Sequence, residues 1–309
     1  MSEMIHQASL YGSDAEFLEM AVPFIRDGLA NGEPVMVTTT SGNLELLGEA
    51  LGDDARHVDY AETAYFGRRT AQRATAFLRY WQRYADHKRV RILAEPVWSG
   101  KSARDVLAWK RMESGLNLIL AGTGVWMICP YDTRTVGADV ARDAMRTHPS
   151  LSSDGRQIEP SPTYADPVDF IGQCDAAPLP EAPRGCLTVA IDDLQDVRRL
   201  VAEEGRRRGL TGERATMLAV AVHEASRYLG VPLSARIWER FGALVCDLRG
   251  QRGPISDPLA GFRPPGPEER QEDGLWLARQ VCEYVDIRSD DSGCTIRLQA
   301  ATSRLQESA

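Results

Sequence analysis

The chain reads as two folded units in tandem, an α/β unit with a mostly parallel sheet followed by an α+β unit. Three observations predict this. In the first half, short β-prone runs alternate with stretches of helical periodicity, the order that builds a parallel sheet covered by helices. From Pro160 to Gly185 the chain runs PSPTYADPVDFIGQCDAAPLPEAPRG, whose six prolines remove backbone donors and predict an extended connector. In the remainder, one strand precedes two helices and the rest is mainly strand, which predicts helices packed on one face of an antiparallel sheet. A length of 309 residues agrees with about two domains. The expected boundaries are 1–159, a linker at 160–185, a second domain at 186–300 and a frayed tail at 301–309.

In the first unit, Ser13 and Asp14 offer caps to AEFLEMAVPFIRDGLA, where Phe17, Leu18, Ala21, Phe24, Ile25 and Leu29 recur at helical spacing. Gly32-Glu33 turns into the strand PVMVTT. Further helices are predicted over 43–51, 70–86, 102–118 and 138–147, and further strands over 57–60, 90–95 and 125–129. In the second unit CLTVAI is a strand. Asp192 or Asp193 caps a helix showing Leu194, Val197, Leu200 and Val201 on one face, and Gly209 ends it. Thr211 opens a second helix. Strands follow near 234–239 and 244–248, then a Gly/Pro-rich loop, a helix over 274–284, and strands over 285–289 and 294–299.

Composition narrows the function. Apolar residues make up 43% and charged residues 26%, enough to bury a core. A net charge of −8 argues against sequence-independent binding to nucleic acid. No run approaches the ~18–20 apolar residues of a membrane span. Met1 to Leu10 lacks the pattern of a secretory signal. The six cysteines are scattered without a CxxC pair, which predicts reduced thiols in a cytoplasmic protein and no zinc site built from them. Neither a metal nor a resident cofactor is expected.

Ligands of open α/β sheets bind beyond the carboxyl ends of the strands. Glu95 follows VRILA, Trp98 comes three residues later, and Cys129 and Tyr131 follow VWMI. With Tyr11 these five form the candidate ligand-binding set. Glu95 ends an apolar strand and needs a donor, from a ligand or from Tyr11, Tyr131 or His6. Cys129 has no evident base near it in sequence, which weighs against a nucleophilic enzyme.

HQASLYGSDAEFLEMAVPFIRDGLANGEPVMV, AEPVWSG, ESGLNL, ICPYDT and THPSL follow one another over residues 4 to 152. They resemble the MEDS sensory domain of bacterial and archaeal signalling proteins, among them the repressor of dichloromethane metabolism. The resemblance implies a RecA/KaiC-like fold that senses small organic molecules. A RecA-like ATPase needs GxxxxGK[ST] to cradle phosphate. Here PVMV runs into TTTSGNLELL, with one glycine and no lysine, so nucleotide hydrolysis is not expected in this unit.

GLTGERATMLAVAVHEASRYL, DPLAGFRPP, DGLWLARQVCEYVDIRS and GCTIRL resemble the GHKL ATPase fold over about 186–300, in the form of the anti-sigma-factor serine kinases. The resemblance implies a catalytic glutamate at Glu224 and a phosphate-approaching glycine at Gly274. The family's metal-binding asparagine is replaced by Tyr228, Asp247 lies too early for the adenine-binding aspartate, and Glu272-Asp273-Gly274 stands where Gly-x-Gly is expected. The expected function is therefore a cytoplasmic signalling and transcription-regulatory protein. It would bind a small organic ligand through its first unit and a protein partner, such as a sigma factor or its antagonist, through a kinase-like unit without ATP binding. An active serine kinase using ATP and Mg²⁺ is the alternative. A small-metabolite enzyme using the first pocket is the third reading.

Overall fold

The computed structural model describes residues 3–253, 257–268 and 270–302, which divide into two compact units, Met1–Cys174 and Asp175–Ala309. Residues 303–309 of the expected tail lie outside the described residues. Among the described residues, no helix is long and apolar enough to cross a membrane.

The first unit is α/β. Its strands are β1 (Ile5–Tyr11), β2 (Val35–Thr39), β3 (Asp59–Glu62), β4 (Val90–Ala94), β5 (Val125–Asp132), β6 (Ser150–Leu151) and β7 (Glu159–Pro160). Its helices are α1 (Asp14–Ala30), α2 (Ser41–Leu51), α3 (Thr70–Arg83), α4 (Ala103–Ile119), α5 (Ala138–Thr147) and α6 (Pro167–Asp175), whose last residue begins the second unit. The sheet order is β3-β2-β4-β5-β1-β6-β7, parallel throughout except for the β6–β7 pair. Ser13 caps α1 by accepting from the Glu16 amide, and Ser102 and Asp105 form a capping box on α4. Phe17, Met20, Phe24 and Ile25 of α1 pack with Val37, Leu93 and Ile128 on one face of the sheet.

Besides the short β6 and β7, which the sequence did not announce, β1, β5 and the linker depart from the sequence expectation. β1 has no apolar alternation to announce it, because it is covered on both faces and carries polar residues with dedicated partners. Gln7 donates to the Leu151 and Gln157 carbonyls at 3.0 and 2.9 Å and accepts from the Trp126 indole at 2.6 Å. β5 was expected to end at Cys129, before Pro130, yet it continues to Asp132. Its pairing with β4 stops at Leu93↔Ile128 while pairing with β1 runs on to Tyr11↔Asp132, so Pro130 occupies an edge-like position where a missing donor is tolerated. Within the proline-rich run, Pro167–Asp175 is helical. Pro167 opens the helix, where no amide is needed, and Phe170, Ile171 and Cys174 are buried.

The second unit has one antiparallel sheet, ordered β11-β12-β10-β9-β8, from β8 (Leu187–Ile191), β9 (Leu233–Arg240), β10 (Ala243–Gly250), β11 (Tyr284–Asp290) and β12 (Gly293–Ala301). Helices α7 (Leu194–Arg207), α8 (Gly212–Leu229) and α9 (Asp273–Val281) complete it, with α8 packed between the other two. Asp193 and Thr211 cap α7 and α8. Val197, Val201, Leu218, Val222 and Ala225 meet Cys246, Leu248, Ile296 and Leu298 in the core.

Ala176 to Arg184 is largely exposed and without regular structure. Limited proteolysis of the full chain is expected to cut there first and leave two resistant fragments. First cleavage before Asp175, or between β8 and β12, would contradict an exposed connector at this point.

Candidate functional site

Parallel pairing brings the carboxyl ends of β1, β2, β4 and β5 to one edge of the first sheet. A cavity of about 430 Å³ opens there, with Tyr11, Asn43, Glu95, Trp98, Asp132 and Arg134 among its lining residues. Leu46, Val97 and Val136 supply apolar wall, and Gly42 places the first turn of α2 at the same cavity.

Glu95 is the polar centre of this edge. Its carboxylate accepts from the Tyr11 hydroxyl at 2.6 Å, from the Asn43 amide at 2.9 Å and from the Thr39 hydroxyl. Asn43 also donates to the Tyr11 oxygen at 3.0 Å. The donor required by a carboxylate at a strand end is therefore internal, with Tyr11 its tyrosine partner. Burial, reinforced by the Glu95 charge, pushes the Tyr11 phenol well up, so it stays protonated and donating. At the rim, Arg134 pairs with Asp132 through two contacts of 2.9 and 3.0 Å and with Asp14 at 2.9 Å. These hydrogen bonds hold the Asp132 carboxyl below its ordinary range.

The five sequence candidates do not share one pocket. Tyr11, Glu95 and Trp98 line the cavity, whereas Cys129 and Tyr131 are not among its lining residues. Side chains alternate along β5, so Ile128 joins the α1 side while Cys129 points to α4. Trp98 links the two sides by stacking on Tyr131, ring centroids 6.0 Å apart.

On the α4 side, His6, Glu113, Cys129 and His148 converge, their donor atoms all within 4.8 Å of one another. Cys129 Sγ lies 3.5 Å from His6 Nε2 and 3.6 Å from Glu113 Oε2, and the same Glu113 oxygen lies 3.9 Å from His6 Nε2 and 3.7 Å from His148 Nε2. Exposures of 2%, 3%, 1% and 0% close the cluster to solvent. Sequence spacing offered Cys129 no base, yet folding supplies one from β1. The thiol is nevertheless unsuited to nucleophilic attack, because burial and the Glu113 charge raise it well above the ordinary cysteine range. Burial also lifts Glu113 to about 7, opposed by the Arg73 charge, and lowers His6 to about 4. His148 is pushed well below the ordinary histidine range by burial and by His6. Two neutral imidazoles, a thiol and a carboxyl are the donor types that hold a divalent metal ion.

Arg73, itself buried, ties this side to Glu95. It donates to the Glu95 carbonyl at 3.1 Å, the Thr63 hydroxyl at 3.0 Å and the Phe66 carbonyl at 3.1 Å, with its guanidinium over Phe77 and Trp109. Sequence reasoning missed Arg73, Glu113 and Asn43. Their only sequence signal is a polar residue on the inward face of an amphipathic helix.

In the second unit, Glu224 and Gly274 line a single cavity of about 600 Å³ with Arg227, Arg270, Asp273 and Trp276. Glu224 pairs with Arg227 at 3.0 Å. A Cβ at position 274 would lie 2.9 Å from the Glu224 Cβ, so helix packing requires glycine there. Tyr228 is buried beneath the Arg252 guanidinium, 4.1 Å from the ring centre. Asp247 is buried and held by Arg297 at 2.5 and 2.7 Å and by Arg236 at 3.2 Å.

Residues 5–149 match the family model of MEDS, the methanogen/methylotroph, DcmR sensory domain. The match covers β1 through α5 and bears out the resemblance of this part of the chain. It does not extend to the second unit. No curated protein matches the chain.

Proposed function

We propose that the chain is a cytoplasmic signalling protein that senses a small, uncharged organic molecule in the cavity at the strand ends of its first unit. The match to a sensory-domain family supports sensing. The observation that carries the site is the pre-formed cavity of about 430 Å³ whose central carboxylate is already saturated by Tyr11, Thr39 and Asn43. With that charge internally satisfied, a cationic ligand gains little there. Leu46, Val97, Trp98 and Val136 favour an apolar body, while the side chains of Tyr11, Asn43 and Arg134 supply polar wall. Denaturing extraction of the purified full chain, followed by mass spectrometry, is expected to release a small organic molecule in stoichiometric amount. A chain that carries none and whose melting is unmoved by a library of small alcohols, ketones and halocarbons would contradict the reading.

In this reading the second unit is a GHKL-like scaffold that acts by docking a protein partner, such as a sigma factor or its antagonist, without hydrolysing ATP. The RecA/KaiC-like ancestry of the first unit belongs to the same reading. Support comes from the residues that stand at or near the three ATP-binding positions. The Asp247 carboxylate is consumed by two arginines, and Tyr228 is packed under Arg252. Asp273, where phosphate oxygens would approach, accepts from the Arg270 amide and pairs with its side chain. An active kinase is favoured by one observation, that Glu224 and Gly274 share a cavity. Calorimetric titration of the full chain with Mg-ATP decides between the two. No binding tighter than about 1 mM, roughly 4 kcal/mol, is expected. Tighter saturable binding would favour the kinase.

A further inference from the structure

We propose that the buried quartet His6, Glu113, Cys129 and His148 is a structural metal site for a zinc-type divalent ion.

Geometry carries the argument first. Zinc–donor bonds of ~2.0–2.3 Å in a tetrahedral shell set donor–donor separations of roughly 3.3–3.7 Å. The four contacts among the quartet that meet at Cys129 Sγ and Glu113 Oε2 measure 3.5, 3.6, 3.7 and 3.9 Å. The two that join nitrogen to oxygen, 3.7 and 3.9 Å, are too long for strong hydrogen bonds, and all four lie near the edge length of a metal-centred tetrahedron. The set of two imidazoles, one thiolate and one carboxylate suits zinc better than magnesium or calcium, which take oxygen shells.

The second argument is the orientation of the two imidazoles. Asn117 Nδ2 donates to the Ser114 and Thr147 carbonyls at 3.1 and 2.8 Å, which turns its oxygen toward His6 Nδ1 at 2.9 Å. His6 therefore carries its proton on Nδ1 and presents a bare Nε2 to the cluster. His148 Nδ1 faces the Ala144 carbonyl at 2.8 Å, which fixes the same tautomer. Metal-bound histidines are held in this way, with the outer nitrogen donating to a carbonyl or amide oxygen.

The third observation is independent of the other two. His148 Nε2 is buried and has no hydrogen-bond partner among the described residues. It points its lone pair at the centre of the quartet, next to Glu113. An unmet buried acceptor is costly, and a cation at the centre removes that cost. The ligands come from β1, α4, β5 and the residue after α5, so the ion would clamp two central strands to two helices. Four protein donors fill a tetrahedral shell, which marks the site as closed rather than catalytic. Binding displaces the Cys129 proton, leaving a dication balanced by thiolate and carboxylate.

The test is metal content of the full chain produced in zinc-supplemented medium and dialysed. About one zinc per chain is expected, falling below about a tenth in Cys129→Ser and in His148→Gln, while Cys174→Ser keeps its metal. Because core variants can fail to fold, the wild-type chain is also refolded with Co²⁺ alone. A thiolate-to-cobalt charge-transfer band with tetrahedral ligand-field absorption is expected. A wild-type chain that takes up neither ion, or a folded Cys129→Ser chain that keeps full stoichiometry and the same cobalt spectrum, would overturn the site.

Discussion

Asp247→Ala is expected to destabilise the second unit by about 3–5 kcal/mol, since it leaves the buried Arg297 guanidinium without its counter-charge. The carboxylate and guanidinium face one another across the β10–β12 pair, in register at Asp247↔Arg297, and both are nearly inaccessible. Removing both charges together has a different outcome. The apolar pair Asp247→Leu with Arg297→Met should recover most of the loss, because the desolvation cost disappears with the attraction. Denaturant unfolding of the three chains measures both effects. A single-variant loss below about 1 kcal/mol would mean the pair behaves as a solvated one.

Glu95→Gln is expected to cost the first unit about 2–3 kcal/mol, a fall in its melting temperature of roughly 5–10 °C. The carboxylate takes donors on both oxygens, from Tyr11 on one and from Thr39 and Asn43 on the other. An amide keeps one acceptor oxygen and turns an NH₂ toward a donor, so at least one buried donor is left facing another. Glu95→Gln then also frees Tyr11 and Asn43 to shift, and ligand affinity falls with stability. Thermal unfolding of the full chain checks the first part. An unchanged melting temperature would show that the carboxylate is not the keystone of the strand edge.

Much of this architecture was legible in the sequence because it rests on local signals. The alternation of helices and strands in the first unit, the caps Ser13 and Asp193, the start of α8 at Thr211, and the helix faces of α1 and α7 all follow from short-range chemistry. β1 was hidden because its polar residues are satisfied by partners more than a hundred residues away, as with Gln7 and Trp126. The end of β5 was misplaced because tolerance of Pro130 depends on where β4 stops pairing, which is a property of the sheet. Glu95 and Trp98 could be placed at the ligand edge because the end of β4 is readable and ligands bind beyond such ends, whereas the strand that brings Tyr11 there was not. Cys129 and Tyr131 could not be separated from them, since their side of the sheet depends on a strand phase that the early stop at Cys129 obscured. The quartet draws on positions from 6 to 148 and carries no spacing motif, so only the fold assembles it.

The central claim is that the cavity at the strand ends holds the sensed molecule, and Gly42→Phe tests it most directly. Gly42 lines the cavity, and a Cβ built there meets nothing within 4 Å. It lies in the first turn of α2, where replacing glycine leaves the helix no worse formed, so a ring at this lining position narrows the cavity without a clash at its Cβ. Wild-type and Gly42→Phe chains, purified side by side, are extracted and assayed by mass spectrometry for bound small molecules. The account predicts a stoichiometric small molecule in the wild-type chain and its loss in Gly42→Phe, with the melting temperature of the ligand-stripped chains unchanged. Equal retention of the same molecule by both folded chains would contradict the assignment of this cavity.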